Sequence, residues 1–370
     1  MAATIGGVTA WAATAGSDRE GTEAQAATAR GGSAAGATTV APARAAEESA
    51  PITIGWAGDA VPASDAFGLP SDPSVLFRDV RAVLRRPDLM VGNLEGTLTT
   101  RGASKCPGGS GGSCYAFRSP PSYARLFADA GFDVLNLANN HASDYGPVGL
   151  ADTRRALEGA KIAHTGAPGQ VTVRTVKGVK VAVVGFASYT WSAPLNEPRA
   201  VRSLVRKAAT QADLVVVAVD GGAEGSDRQH VPQGREDYLG ENRGDLRAFA
   251  RTAIDAGADL VVGSGPHVLR GLEVYKGRLV AYSTGNFVGW RTFALSGALS
   301  QSCVLQVTLR ADGRWVRGRI VPTRLVGDGA AALDPDRQAV RVMRSLSQAD
   351  FGNRAPRIAD TGAITLASRS

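Results

Sequence analysis

The sequence predicts an α/β domain, and three observations predict it. From Pro51 onward short apolar runs of strand length alternate with helical patterns, most of the runs are continuous, and five of them end in small or polar residues of one chemical type. Alternation of this kind specifies an α/β chain, and uninterrupted apolar strands are those covered on both faces. With 370 residues, 44% of them hydrophobic, the chain can build a sizeable core.

Residues 1 to about 50 are mostly Ala, Gly, Thr, Ser and Glu, and bury too little apolar surface to offset the entropy of ordering. They read as a disordered linker or stalk, with residues 51–370 as the folded domain. The N-terminus has no basic stretch followed by a sustained apolar run, and Ile5 to Ala15 is too short and too rich in Gly and Thr to cross a bilayer. Three readings stay open: a start lying upstream with an export signal, a stalk parted from its anchor, and a cytosolic protein with a loose tail.

Strands are expected at Ile52 to Gly58, Leu89 to Leu94, Val134 to Ala138, Lys180 to Phe186, Leu214 to Val219, Leu260 to Gly263 and Leu279 to Ser283. Tyr123, Leu126, Phe127 and Ala130 have helical spacing and stop at Gly131; Leu246, Phe249, Ala250, Ala253 and Ile254 repeat it and stop at Gly257. Val304 to Leu309 and Trp315 to Val321 flank Ala311-Asp312-Gly313, a hairpin signal that adds antiparallel strands at one side of the sheet. From Asp334 the tail reads as one helix and an extended strand.

Of the three cysteines, Cys106 and Cys114 bracket a Gly-rich loop supple enough for their thiols to meet. They read as a local disulfide, and so as an extracytoplasmic, membrane-associated or secreted protein, whereas a reduced pair would suit the cytosol. Cys303, in an apolar run, reads as a buried small hydrophobe.

The five polar strand ends are Gly58-Asp59, Gly92-Asn93-Leu94-Glu95-Gly96, Ala138-Asn139-Asn140-His141, Asp220-Gly221-Gly222-Ala223-Glu224-Gly225 and Gly263-Ser264-Gly265-Pro266-His267. Carboxyl ends of strands line one crevice in an open α/β sheet, so these distant residues are expected to converge. Carboxylates, amides and imidazoles gathered there are ligands for Mn, Zn, Fe or Mg. Taken alone, each has a plainer reading: an Asp after a strand is commonly a helix cap, an Asn pair a turn, a loop His a solvated side chain.

Taken in order, and with Tyr282-Ser283-Thr284-Gly285-Asn286-Phe287, these motifs resemble the CapA-type poly-gamma-glutamate capsule biosynthesis proteins of the calcineurin-like metallophosphoesterase superfamily, over about residues 52 to 365. The resemblance implies a layered α/β/β/α sandwich with mixed sheets, joined by the C-terminal hairpin. It implies a metal-dependent hydrolase of capsule or cell-envelope polymer synthesis, with Asp59 and Glu95 as metal-binding carboxylates, Asn140 as amide ligand and His267 as imidazole ligand. His141 is implied as general acid or transition-state stabiliser. Asn93, Glu224 and Asn286 are placed at the cleft as substrate-contacting residues.

Two departures stand out. Asp220 replaces the first residue of the family's His-Gly-Gly-Ala-Glu-Gly, and Ser264 the second of its Gly-His-Gly-Pro-His. Both absent imidazoles would serve one second metal; Asp220 can ligate as a hard oxygen, favouring Mn or Mg over Zn, but Ser264 is a poor ligand. One ion or two are therefore expected, or none.

The net charge of +7 and pI near 9.6 suit an anionic partner, but the 41 basic residues are scattered and no nucleic-acid motif is present. The stretch Glu224 to Glu241 reads as a charged surface loop or as a rim where Arg228, His230 and Arg235 meet an anionic polymer or phosphate ester. Arg118 is a further candidate for that contact, while Arg101 and Lys105 read as keeping the Gly-rich loop soluble. Three functions compete: a metal-dependent hydrolase or transferase, a non-catalytic assembly factor working with membrane-bound capsule machinery, and a general phosphoesterase.

Overall fold

In the computed structural model the residues described are 50–110 and 114–366, so the linker expected over residues 1–50 lies outside the described residues but for its last position. The apolar runs form strands Ile52–Val61 (β1), Leu89–Leu94 (β2), Val134–Asn136 (β3), Ala163–Thr165 (β4), Thr172–Val176 (β5), Val179–Ala187 (β6), Leu214–Asp220 (β7) and Leu260–Ser264 (β8). There follow Leu272–Tyr275 (β9), Arg278–Ala281 (β10), Asn286–Gly289 (β11), Gln301–Leu309 (β12), Trp315–Val326 (β13), Ala330–Leu333 (β14), Arg357–Ile358 (β15) and Ala363–Thr365 (β16). The longer helices are Ala124–Ala130 (α1), Gly146–Gly159 (α2), Pro198–Ala209 (α3), Leu246–Asp255 (α4) and Gln338–Phe351 (α5).

One sheet runs β15-β16-β13-β12-β1-β2-β3-β4, with β11 beside the end of β1 and β14 on β13. Strands β1 to β4 are parallel, and β12 and β13 form the expected antiparallel hairpin. The second sheet runs β9-β10-β8-β7-β6-β5, its four central strands parallel. Both sheets are therefore mixed, with parallel centres and antiparallel flanks.

Continuous burial along β2, β7 and β8 follows from their unbroken apolar sequences. Alternate side chains then divide between two cores. Trp56 and Val91 of the first sheet meet Val183, Val216 and Val262 of the second in a core between the sheets. The opposite face of the first sheet, with Met90 and Leu135, packs on Phe127 of α1 and Leu150 and Leu157 of α2. The opposite face of the second, with Val184, Val217 and Val261, packs on Val201 and Val205 of α3 and Phe249 of α4. Helix, sheet, sheet, helix is the layering the resemblance implies. Trp56 Nε1 also donates to Gly263 O at 3.2 Å, a hydrogen bond running from β1 to β8 across the central core.

Helix ends obey local chemistry. Gly131 closes α1 in a left-handed conformation (φ 115°) and Asp245 caps α4 through Ala248 N. Strand β3 stops two residues short of the expected Ala138, because the Asn136 amide bonds both the N–H and the carbonyl of Ala138 and turns the chain. Among the described residues no helix is long and apolar enough to cross a membrane.

Candidate metal centre

Asp59 sits on a bulge near the end of β1, where the register with β2 and β11 slips. Gly58 permits the bulge: a Cβ there would lie 2.2 Å from Gly285 O. Asn93 is the last residue but one of β2, with Glu95 just beyond the strand; Asp220 ends β7 and Ser264 ends β8. The parallel strands of both sheets thus deliver their carboxyl ends to one place, where carboxylate oxygens of Asp59, Glu95 and Asp220 lie within 4.8 Å of one another.

Asn93 organises the first sheet's side of this cluster. Its amide donates to Asp59 Oδ1 at 2.9 Å and to Glu95 Oε2 at 2.6 Å, and its oxygen accepts from Asn136 at 3.0 Å and Asn139 at 3.1 Å. Both donors and both lone pairs are engaged. Asn93 therefore holds the carboxylates in position and has no polar group left for the substrate contact expected of it.

His267, in a left-handed conformation rare outside Gly (φ 63°), directs Nδ1 to Asp59 Oδ2 at 3.1 Å and Asn286 Oδ1 at 3.0 Å. Two acceptors on Nδ1 assign the proton there, so Nε2 faces Glu224 Oε2, 3.6 Å away. Burial alone would push this imidazole down, but the hydrogen bond to Asp59 and the nearby Glu224 carboxylate outweigh it and hold it well above the usual histidine range. Glu224 is partly buried, yet His267 and Arg243 pull its carboxyl down to about 2. Asn140 Nδ2 completes the link, donating to Glu224 Oε1 at 3.3 Å. Asn286, fully buried, spends its amide on Leu299 O and on His267.

The cluster fits a cation. Glu95 is fully buried, and burial first, then the charges of Asp59 and Asp220, hold its carboxyl well above the ordinary range. Among the described residues nothing hydrogen-bonds Glu95 Oε1 or Asn140 Oδ1, both buried. Unpartnered oxygens beside crowded carboxylates are what a hard divalent ion would satisfy.

His141 lies next to Asn140 and packs against Phe117 in a tilted arrangement with ring centroids 4.3 Å apart. Its Nδ1 is 2.7 Å from Asp144 Oδ2. Burial pushes this imidazole below the usual range, against the pull of Asp144, and the short contact with that carboxylate assigns a proton to Nδ1, which leaves Nε2 facing away from it. Asp144 also accepts from Phe117 N at 2.6 Å and pairs with Lys105 Nζ at 2.6 Å. Lys105, expected only to keep its loop soluble, is an inward-facing charge next to the Cys106–Cys114 disulfide, which is formed.

The residues expected at the rim are engaged elsewhere. His230 pairs with Asp350 of α5 at 2.7 Å, and Arg228 turns to Asp227 at 3.4 Å while its carbonyl accepts from Arg270. Arg235 pairs with Asp237, and Arg118 with Asp65. The stretch is not a plain surface loop either, since buried Arg270 grips Glu236 through both guanidinium nitrogens at 2.8 and 2.7 Å.

A second buried arginine, Arg243, was not legible as a site residue. It stands on the short strand Glu241–Gly244, in a charged sequence indistinguishable from a solvated hairpin. Its Nη2 lies 3.3 Å from Asp220 Oδ1 and 3.1 Å from Glu224 Oε1, and its Nη1 donates to Tyr189 OH at 2.5 Å. Ser264 Oγ donates to the other oxygen of Asp220 at 3.2 Å. Burial pushes the Asp220 carboxyl up to about 7 even with Arg243 opposing it.

Comparison with known proteins places these features in a lineage. The model of the family "Bacterial capsule synthesis protein PGA_cap" matches residues 33–290. The PGA biosynthesis protein CapA of Bacillus subtilis is 32% identical over 235 residues, 58% of this chain and 57% of that protein. The capsule biosynthesis protein CapA of Bacillus anthracis is 32% identical over 262 residues, 64% of this chain and 58% of that protein. The match thus spans under two thirds of the length of either relative. Among solved structures, a 5'-nucleotidase precursor from Thermus thermophilus superposes with a TM-score of 0.43 at 17% identity, over 81% of this chain and 59% of that one.

Proposed function

Since the chain belongs to the bacterial capsule synthesis protein family, we propose that it is a metal-dependent, hydrolase-like protein of poly-gamma-glutamate capsule or cell-envelope polymer synthesis, acting on a phosphate ester or on an amide of such a polymer. The observation that carries this reading is the buried Glu95 oxygen that has no hydrogen-bond partner among the described residues, set among the carboxylates of Asp59 and Asp220. Asp59 and Glu95 would hold a divalent ion, with Asn140 and His267 beside it, and their oxygen-rich set favours Mn or Mg over Zn. When bound, the ion supplies Lewis-acid polarisation of a phosphoryl or carbonyl oxygen and a lowered pKa for water.

The chain's own residues supply the rest. Asn93 keeps the two carboxylates from moving apart. His141 takes up or returns a proton at Nε2, and Asp144 fixes its tautomer and stabilises the imidazolium. The Cys106–Cys114 bond supports an extracytoplasmic place beside membrane-bound capsule machinery. In this reading residues 1–50 are a linker or stalk, residues 51–370 the working domain, and the net charge of +7 favours an anionic polymer.

The test is metal analysis of the purified protein, with assays on a generic phosphate ester and on poly-gamma-glutamate with and without Mn. Asp59→Asn is expected to lose bound metal and turnover while its circular dichroism stays that of the parent. A parent protein that holds no metal and turns over neither substrate ends the enzymatic reading. A second reading, a non-catalytic polymer-binding assembly factor, is favoured by the engagement of Asp220 with Arg243 and Ser264. Its signature is poly-gamma-glutamate binding without turnover.

A further inference from the structure

Four buried or nearly buried carboxylates meet at the strand ends: Asp59, Glu95, Asp220 and Glu224. On one side the chain meets them with a cation of its own. Arg243 is 1% exposed and fixed from every direction: Nε donates to Gly222 O at 3.2 Å, Nη1 to the Tyr189 hydroxyl, and Nη2 reaches both Asp220 and Glu224. Gly265 makes room for it, since a Cβ there would stand 3.0 Å from Nη2 and 2.8 Å from Gly221 N.

The remaining hydrogen bonds divide the cluster in two. Asp220 has one oxygen on Arg243 and the other on Ser264, and Glu224 Oε1 takes both Arg243 and Asn140. The cluster's oxygens that lack a hydrogen-bond partner among the described residues, Glu95 Oε1 and Asn140 Oδ1, belong to the first sheet's strand ends. Asp220 and Ser264 are also the positions where the related motifs carry imidazoles. We infer that the Arg243 guanidinium stands in for a second metal ion, so that the site takes one divalent ion at Asp59 and Glu95 and a fixed positive charge at Asp220 and Glu224. A second ion at Asp220 would meet a like charge that cannot swing away, in a setting where water screens little. Arg243 therefore makes the centre mononuclear by construction.

This rests on the metal reading above, and the experiment separates the two. The full chain is loaded with Mn(II) and desalted, then its metal per chain is measured by mass spectrometry and its paramagnetic resonance spectrum recorded. The parent is expected to hold one ion with an uncoupled spectrum. Asp220→His with Ser264→His is expected to stay at one ion while Arg243 is present, and adding Arg243→Met to raise it to two with a spin-coupled spectrum. Two ions in the parent, or in the double variant with Arg243 intact, would overturn the inference and leave the metal reading standing; so would a folded triple variant that stays at one. No ion in the parent removes the metal reading and this inference with it. Should the triple variant fail to fold, the parent and the double variant still decide the question.

Discussion

Glu95 has one oxygen on Asn93 at 2.6 Å and the other without a hydrogen-bond partner among the described residues, in full burial. An unpaired buried carboxylate opposes folding, and a cation that binds only the folded chain reverses that sign. Glu95→Gln separates the two effects. In chelator the variant is expected to melt no lower than the parent, because it sheds a buried charge and its amide oxygen still accepts from Asn93. With Mn at 100 times its dissociation constant, linkage adds about 2.7 kcal/mol to the parent and little to the variant. Paired melting curves in chelator and in Mn check this; equal Mn shifts in both proteins would show that Glu95 is no ligand. The convergence of Asp59, Glu95, Asn140, Asp220 and His267 was legible because each follows an apolar run that could only be a buried strand. Arg243 was not, since a charged residue between Asn242 and Gly244 carries no local sign of burial. Asp144 could have been found: it falls three residues after His141, within the same turn.

The loop carrying Lys105, the Cys106–Cys114 disulfide and Phe117 acts as an element. Lys105 N donates to Asp144 O at 2.8 Å, Lys105 Nζ and Phe117 N both reach the Asp144 carboxylate, and the Cys106–Cys114 bond closes the loop between them. The loop thereby clamps the residue that orients His141. Loop-closure entropy for so short a crosslink is roughly 2–3 kcal/mol. Replacing both cysteines by Ser is expected to lower stability to urea by about that much and to weaken the hold on Asp144. Denaturation curves of the two proteins test it, and coincident midpoints would mean the crosslink constrains nothing. Elements with their own signals, such as α1 with Gly131 and the β12–β13 hairpin, could be read from sequence. Helices α2 and α3 were not read: α2 is interrupted by Gly and Pro at its start, and the apolar side of α3 is spread among basic residues that face solvent. The burial of Glu236 in the hairpin Glu236–Tyr238 and Glu241–Gly244 rests on its pair with Arg270, a contact no short window reveals.

Across the whole molecule, the two sheets are locked face to face by apolar packing and by hydrogen bonds that cross between them, Trp56 to Gly263 and Thr165 to Val183 among them, so a disturbance in either outer layer is felt at the shared strand ends. The tyrosines report on this cooperativity. Of the seven, Tyr282 is held well above the usual range by burial and then by Glu273, to which its hydroxyl donates at 2.6 Å. Tyr123 is raised by burial, Tyr145 is pushed up to about 12 by burial and then Asp65, and Tyr189 is raised by burial, with Glu241 adding to it and Arg243 opposing. They lie in different parts of the fold: Tyr123 in the core over the first sheet, Tyr282 in that over the second, Tyr145 against the disulfide loop, Tyr189 on Arg243. Each folded pKa lies above the unfolded value near 10. The neutral form is therefore the one the fold favours, and its stabilising contribution is complete below that pH and lost as pH rises through the folded values. Alkaline titration followed by tyrosinate absorbance and far-ultraviolet circular dichroism is expected to show these four ionising together with loss of structure. Smooth ionisation of all seven near pH 10, with secondary structure retained, would mean that the layers open independently and that burial does not couple them.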